Sequence, residues 1–143
     1  MFSREESKKL REEFWIAFGK SYPKKWILYN TKIKGLSLKF HFDTKKAMVL
    51  LDVETDDLER RIELWEKIQS LRSLLTSEDY LPNAQFEDIY FLENGKEISR
   101  VFVMKENVSI HNKNTWQETM VFLSVSMLHL ETFFTDFKEI LSS

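Results

Sequence analysis

Residues 33–54 alternate apolar and polar side chains in two runs. In the first, Leu36, Leu38, Phe40 and Phe42 alternate with Ser37, Lys39 and His41. In the second, Ala47, Val49, Leu51 and Val53 alternate with Met48, Leu50 and Asp52. A period of two marks a strand with one buried face. A turn centred on Thr44 and Lys45 pairs Phe42 with Ala47, Phe40 with Val49, Leu38 with Leu51 and Leu36 with Val53. Both apolar sets then share one face, and a one-residue slip would put Phe40 and Phe42 in water. A second hairpin is expected over 86–104. There Asn94-Gly95 signals a two-residue type I′ turn that pairs Phe91 with Ile98, Tyr90 with Ser99 and Ile89 with Arg100. Its apolar residues fall on both faces, which predicts strands covered on both sides.

Helical spacing frames the hairpins. Ser3-Arg4-Glu5-Glu6 reads as a capping box, followed by Leu10, Phe14, Ala17 and Phe18 on one stripe, with Gly19 and Pro23 as the stop. This predicts a helix over about 4–20. Thr55 is the expected cap of a second helix that carries Leu58, Ile62, Trp65, Ile68 and Leu71 and ends near Leu75. Thr115-Trp116-Gln117-Glu118 is read as another capping box, opening a helix to about Leu141. On that helix Trp116, Met120, Leu123, Met127, Leu130, Phe134, Phe137 and Leu141 recur at alternating steps of four and three, a heptad seam. The order α-ββα-ββα predicts an α+β fold in a single domain over 1–143, a four-stranded, mostly antiparallel sheet packed with three helices.

Composition narrows the chemistry. The chain has 143 residues, 43% hydrophobic and 14% aromatic, and no cysteine. That excludes disulfides, thiol catalysis and cysteine-ligated metals. Charged residues follow Met1 within a few positions, unlike a secretory leader, so a cytoplasmic location is expected. The longest uncharged apolar-rich run, Thr119 to Leu130, is shorter than the roughly 20 residues a bilayer crossing needs, so no membrane partner is expected. Charge is unevenly spread. Residues 1–53 carry 12 basic and 6 acidic side chains, whereas residues 54–143 carry 9 and 17. Eight lysines and one acid lie between Lys20 and Lys46. Such a dipolar chain attracts an anionic partner at one end, or a second copy of itself.

Three constellations could carry function. The basic stretch offers Lys24, Lys25, Lys32, Lys34 and Lys39 to phosphates, with Trp26 and Tyr29 to stack on bases, as a polyanion or nucleic-acid site. The seam residues Trp116, Met120, Leu123, Met127, Leu130, Phe134 and Phe137 are candidates for self-association, since a small domain has little surface with which to cover them. Asp52 and Glu54, two apart on a strand and near Lys39, are the weakest candidate, a Mg²⁺-holding pair for a metal-dependent hydrolase. His41, His111 and His129 share no ligand spacing, and His129 reads as a packing histidine inside an apolar helix. No phosphate loop or nucleophile elbow occurs, so no cofactor, catalytic residue or small-molecule ligand is identified. The expectation is a non-enzymatic interaction module that forms a homo-oligomer, with nucleic-acid binding as the alternative.

The runs Ser3-Arg4-Glu5-Glu6, Leu10-Arg11-Glu12-Glu13-Phe14-Trp15, Lys25-Trp26-Ile27-Leu28-Tyr29-Asn30-Thr31-Lys32-Ile33-Lys34-Gly35 and Phe40-His41-Phe42-Asp43-Thr44-Lys45-Lys46-Ala47 resemble the uncharacterised bacterial family known as domain of unknown function 4268. The likeness extends over nearly the whole chain and is strongest over 1–54. It implies an intact single domain in a bacterial, cytoplasmic setting. Related domains at the C-terminal end of larger proteins with nuclease-like parts imply an accessory role near nucleic acid. The family brings no catalytic motif to these residues.

Overall fold

A computed structural model describes residues 2–143. Helix α1 spans Arg4–Ser21, and in the expected capping box the Ser3 hydroxyl accepts from the Glu6 amide while the Glu6 carboxylate accepts from the Ser3 amide. Strands β1 (Leu36–Phe42) and β2 (Lys46–Val53) form the first hairpin. Their register is the one the alternation demands, from Leu36 opposite Val53 to Phe42 opposite Ala47. The Asp43 carboxylate builds the turn by accepting the amides of Lys45 and Lys46 at 2.7 and 2.9 Å.

Helix α2 runs over Leu58–Ser70, and a short α3 follows over Arg72–Leu75. The expected single helix is broken at Leu71, which leaves the helical region with ψ at 5°. Asp57, not Thr55, caps α2, accepting the Arg60 amide at 3.2 Å. Strands β3 (Gln85–Phe91) and β4 (Glu97–Glu106) form the second hairpin, and the sheet order is β1-β2-β4-β3, all antiparallel. A short 3₁₀ turn, Lys113–Thr115, leads into α4, Trp116–Ser142. The Thr115 hydroxyl does not cap α4 but is bonded to the backbone of Ser109 and Asn112. These elements make the α+β fold.

The second hairpin departs from its expected register. Tyr90 faces Ile98 and Phe91 faces Glu97, and a bulge between Glu87 and Tyr90 brings Glu87 opposite Arg100. The physical reason lies in the turn. Leu92 donates to the Lys96 carbonyl, so three residues form the loop, and Gly95 has a φ of +86° while Asn94 stays out of the left-handed region. That is a type I turn closed by a glycine bulge rather than a type I′ turn, and it moves the register by one residue.

One face of the sheet carries all three long helices. Leu36, Leu38, Phe42, Ala47, Val49, Leu51, Val53, Val101 and Val103 form one core with Phe14 and Phe18 of α1, Leu64 and Ile68 of α2, and the inner side of α4. The heptad seam is therefore occupied by its own chain. Leu123 and Met127 are fully buried, Trp116, Met120, Leu130 and Phe134 are buried, and only Phe137 is half-buried. By length and composition alone Lys113–Ser142 would suffice to cross a membrane; here its seam lies against the sheet. On the opposite face Met48, Leu50 and Phe102 form a small separate cluster bordered by Met104. Against the expectation that the second hairpin is covered on both sides, the helices cover one face only; β4 is nonetheless buried from Ile98 to Val103, whereas β3 exposes Ile89 and Phe91.

Candidate interaction surface

The seam residues cannot be an outward surface, because a side chain packed against the sheet has no second face to offer. What α4 does present is a different row. Val121, Val125 and Leu128 are 44%, 47% and 43% exposed and stand four and three residues apart. That spacing keeps them on one side of the helix, turned away from the core. They belong to the wider set of apolar positions that broadens α4 beyond a coiled-coil stripe.

The loop after α1 builds a wall beside this row. Pro23 ends the helical run, and the chain is then pinned to α4 by Glu131. This carboxylate is 5% exposed; it accepts from Lys24 Nζ at 2.7 Å and from the Ile27 amide at 2.6 Å. Lys24 lies 5.0 Å from the Trp26 ring, and Trp26 in turn sits edge-on to Phe40 at 5.5 Å. The result is a groove of about 400 Å³ between Tyr22, Pro23 and Trp26 on one side and Val121, Val125 and Leu128 on the other. A second hollow of about 310 Å³ extends it past Leu128 towards Thr132 and Asp136. Across α4, a third of about 270 Å³ lies among Tyr80, Pro82, Val103, Phe122, Val125 and His129. His129 is exposed there, not packed inside, and its Nδ1 donates to the Tyr80 carbonyl at 2.8 Å. The Tyr80 hydroxyl donates to Asp136 at 2.6 Å, and this bond holds the phenol above its ordinary pKa.

The open face of the sheet brings Asp52, Glu54 and Lys39 together, as the hairpin register requires, and adds Arg100. Asp52 is fully buried; Arg100 Nε and Nη2 donate to its two oxygens at 2.7 and 2.9 Å, and Lys39 Nζ approaches Oδ2 at 2.9 Å. Lys39 also reaches Glu54 at 3.1 Å. Burial lowers the Lys39 pKa, but bonds and attraction to Asp52 and then Glu54 outweigh it and hold the ammonium above the usual lysine value. Arg100 is further held 4.1 Å from the Tyr90 ring. Both Asp52 oxygens are engaged by cations, so this is a neutralised structural network and not the Mg²⁺-holding pair considered from the sequence. No cluster of three or more His, Asp or Glu that could hold a metal occurs among the described residues.

The basic stretch is divided by the fold. Lys24 and Lys39 are held in ion pairs, and Trp26 is half-buried against the core. Lys25, Lys32, Lys34 and Tyr29 remain exposed, with Tyr29 at 74%. Glu131 and Arg100 are the organising residues that sequence reading missed. Glu131 had one legible signal, an acid inside an otherwise apolar helix. Arg100 had one too, a guanidinium in an apolar strand, but its place beside Asp52 comes from the long-range pairing of β2 with β4, which no local pattern fixes.

The family pattern described as domain of unknown function, DUF4268, matches residues 10–138. No curated protein and no solved structure matches the chain.

Proposed function

Because the chain belongs to the DUF4268 family, whose description assigns no activity, we propose from its geometry that it is a non-enzymatic protein-interaction module that self-associates through the outer face of α4. The observation that supports this reading is the row Val121, Val125 and Leu128, roughly half exposed along a walled groove. Three large apolar side chains in one line are more than the scattered exposure of an ordinary surface. Their four-three spacing suits packing against another helix with the same spacing. A two-fold axis near Val125 sets the row against its own copy, valine to valine, with Leu128 beyond Val121 of the partner, so that one patch serves both subunits. The non-enzymatic part rests on the open-face network, where the acids are already neutralised by Lys39 and Arg100.

Sedimentation velocity over a concentration series tests the proposal. The wild-type chain is expected to shift from monomer to dimer, and Val125→Asp to remain monomeric with an unchanged far-ultraviolet circular dichroism spectrum, since it would bury an unpaired charge at the contact. A wild-type chain that stays monomeric at the highest concentration, or a Val125→Asp variant that still dimerises, overturns it.

A further inference from the structure

The sheet ends in two unlike edges. Strand β1 is closed in part by its own chain, because its Leu38 amide donates to the Leu28 carbonyl at 3.0 Å. Strand β3 is the other edge, and no strand lies beyond it among the described residues. From the Leu92 to Lys96 bond, the antiparallel alternation turns the backbone N–H and C=O of Phe91 outward. Exposed edges of this kind are usually blunted by lysine, proline, a short strand or a bulge. Here the strand is seven residues long without lysine or proline, and its bulge between Glu87 and Tyr90 leaves Tyr90 and Phe91 in the ladder. Instead it exposes Ile89 and Phe91, at 56% and 63%. Helix α2 adds exposed Leu58 and Ile62 on the same helix whose Arg61 bonds to Glu97, the register partner of Phe91.

The sequence of this edge is one-sided in charge, although Arg72 and Arg100 of neighbouring elements lie over its Phe86 and Tyr90 rings at 4.6 and 4.1 Å. From Ser77 to Gly95 the chain holds five acids and no base. Two of the acids are exposed along this edge, Glu87 within β3 and Glu93 in the hairpin loop two residues beyond it. We propose that the outer edge of β3 is a docking site for an extended, lysine- or arginine-bearing segment of another protein, added as a fifth strand. Backbone pairing supplies the ladder, Ile89 and Phe91 take its apolar side chains, and Glu87 and Glu93 take its cations. A second copy of this chain is disfavoured as the occupant. Two β3 edges would bring two acidic strips together, and the basic β1 edge is already engaged by Leu28. This surface is separate from the α4 groove and stands or falls independently of it.

A fluorescent peptide alternating lysine and valine, titrated with the protein and followed by anisotropy, tests the inference. Binding is expected that weakens with salt and falls by roughly tenfold or more in Glu87→Lys/Glu93→Lys, and in Phe91→Lys, while Val125→Asp leaves it unchanged. The same peptide with glutamate for lysine, or with every peptide nitrogen methylated, is expected not to bind. Equal binding of the glutamate peptide refutes the charge argument, and equal binding of the methylated peptide refutes strand addition. A changed sedimentation coefficient of Glu87→Lys/Glu93→Lys alone would assign the edge to a second copy and overturn the proposal.

Discussion

Replacing Asp52 with asparagine removes the only negative charge that both Arg100 and Lys39 touch in the sheet. The Asp52 side chain is fully buried and that of Arg100 is 9% exposed, so solvent cannot replace the lost carboxylate. The amide keeps one acceptor for three N–H donors and aims its own NH₂ at a cation. Breaking a buried pair from one side costs about 3–5 kcal/mol. Lys39 retains Glu54 and 20% exposure, which places the loss at the lower end, about 3 kcal/mol. With a urea slope of about 1.5 kcal/mol per molar, the midpoint should fall by about 2 M. Equilibrium urea denaturation followed by tryptophan fluorescence reads this directly. The charge-free double variant Asp52→Leu/Arg100→Met should recover most of the loss, because apolar residues of similar volume replace a buried pair at little cost. A shift of under about 0.5 M in Asp52→Asn would mean a loss below about 1 kcal/mol. The carboxylate would then be a solvated group free for other work, and the structural account of the open face would fail.

Two further outcomes follow from named bonds. Glu131→Gln leaves a single oxygen for Lys24 and the Ile27 amide, so a loss of about 1–3 kcal/mol is expected, with faster hydrogen exchange at Ile27; unchanged protection of that amide would show that Glu131 does not pin the groove wall. Asp43 titrates below the usual carboxylate range: burial works against ionisation, but the bonds from His41 and from the amides of Lys45 and Lys46 outweigh it. A depressed acid contributes stability above its unfolded value and loses it as pH falls through the folded one. The advantage of the wild type over Asp43→Asn should therefore be steady above about pH 5 and shrink below about pH 4; an advantage that grows on acidification would contradict the assigned bonds.

What could be read along the chain was local. The register of β1 and β2 follows from alternation alone, since any slip exposes Phe40 and Phe42. The α1 cap follows from four consecutive residues. The same locality explains the errors. Asn94-Gly95 is compatible with two turn types, and the difference of one loop residue set Arg100 opposite Glu87 rather than Ile89, while its place beside Asp52 comes from the pairing of β2 with β4, strands distant in sequence that no local pattern joins. Thr55 and Thr115 have the side chain of a cap, but Asp57 lies nearer the first turn of α2, and Thr115 finds partners in the preceding loop.

For function the division is sharper. That α4 has a heptad seam and further apolar positions around it is a property of spacing, and the sequence alone determined it. Which of those positions faces water depends on how many layers the chain can place beside the helix. Here all three long helices share one sheet face, so Leu123 and Met127 point into the core while Val121, Val125 and Leu128 are left outside. The uneven charge is likewise legible in order along the chain, but only the strand order β1-β2-β4-β3 carries its basic and acidic parts to opposite edges of the sheet. Periodicity records which side chains avoid water together; the packing of distant segments, set by the total apolar area to be covered, decides where they do so.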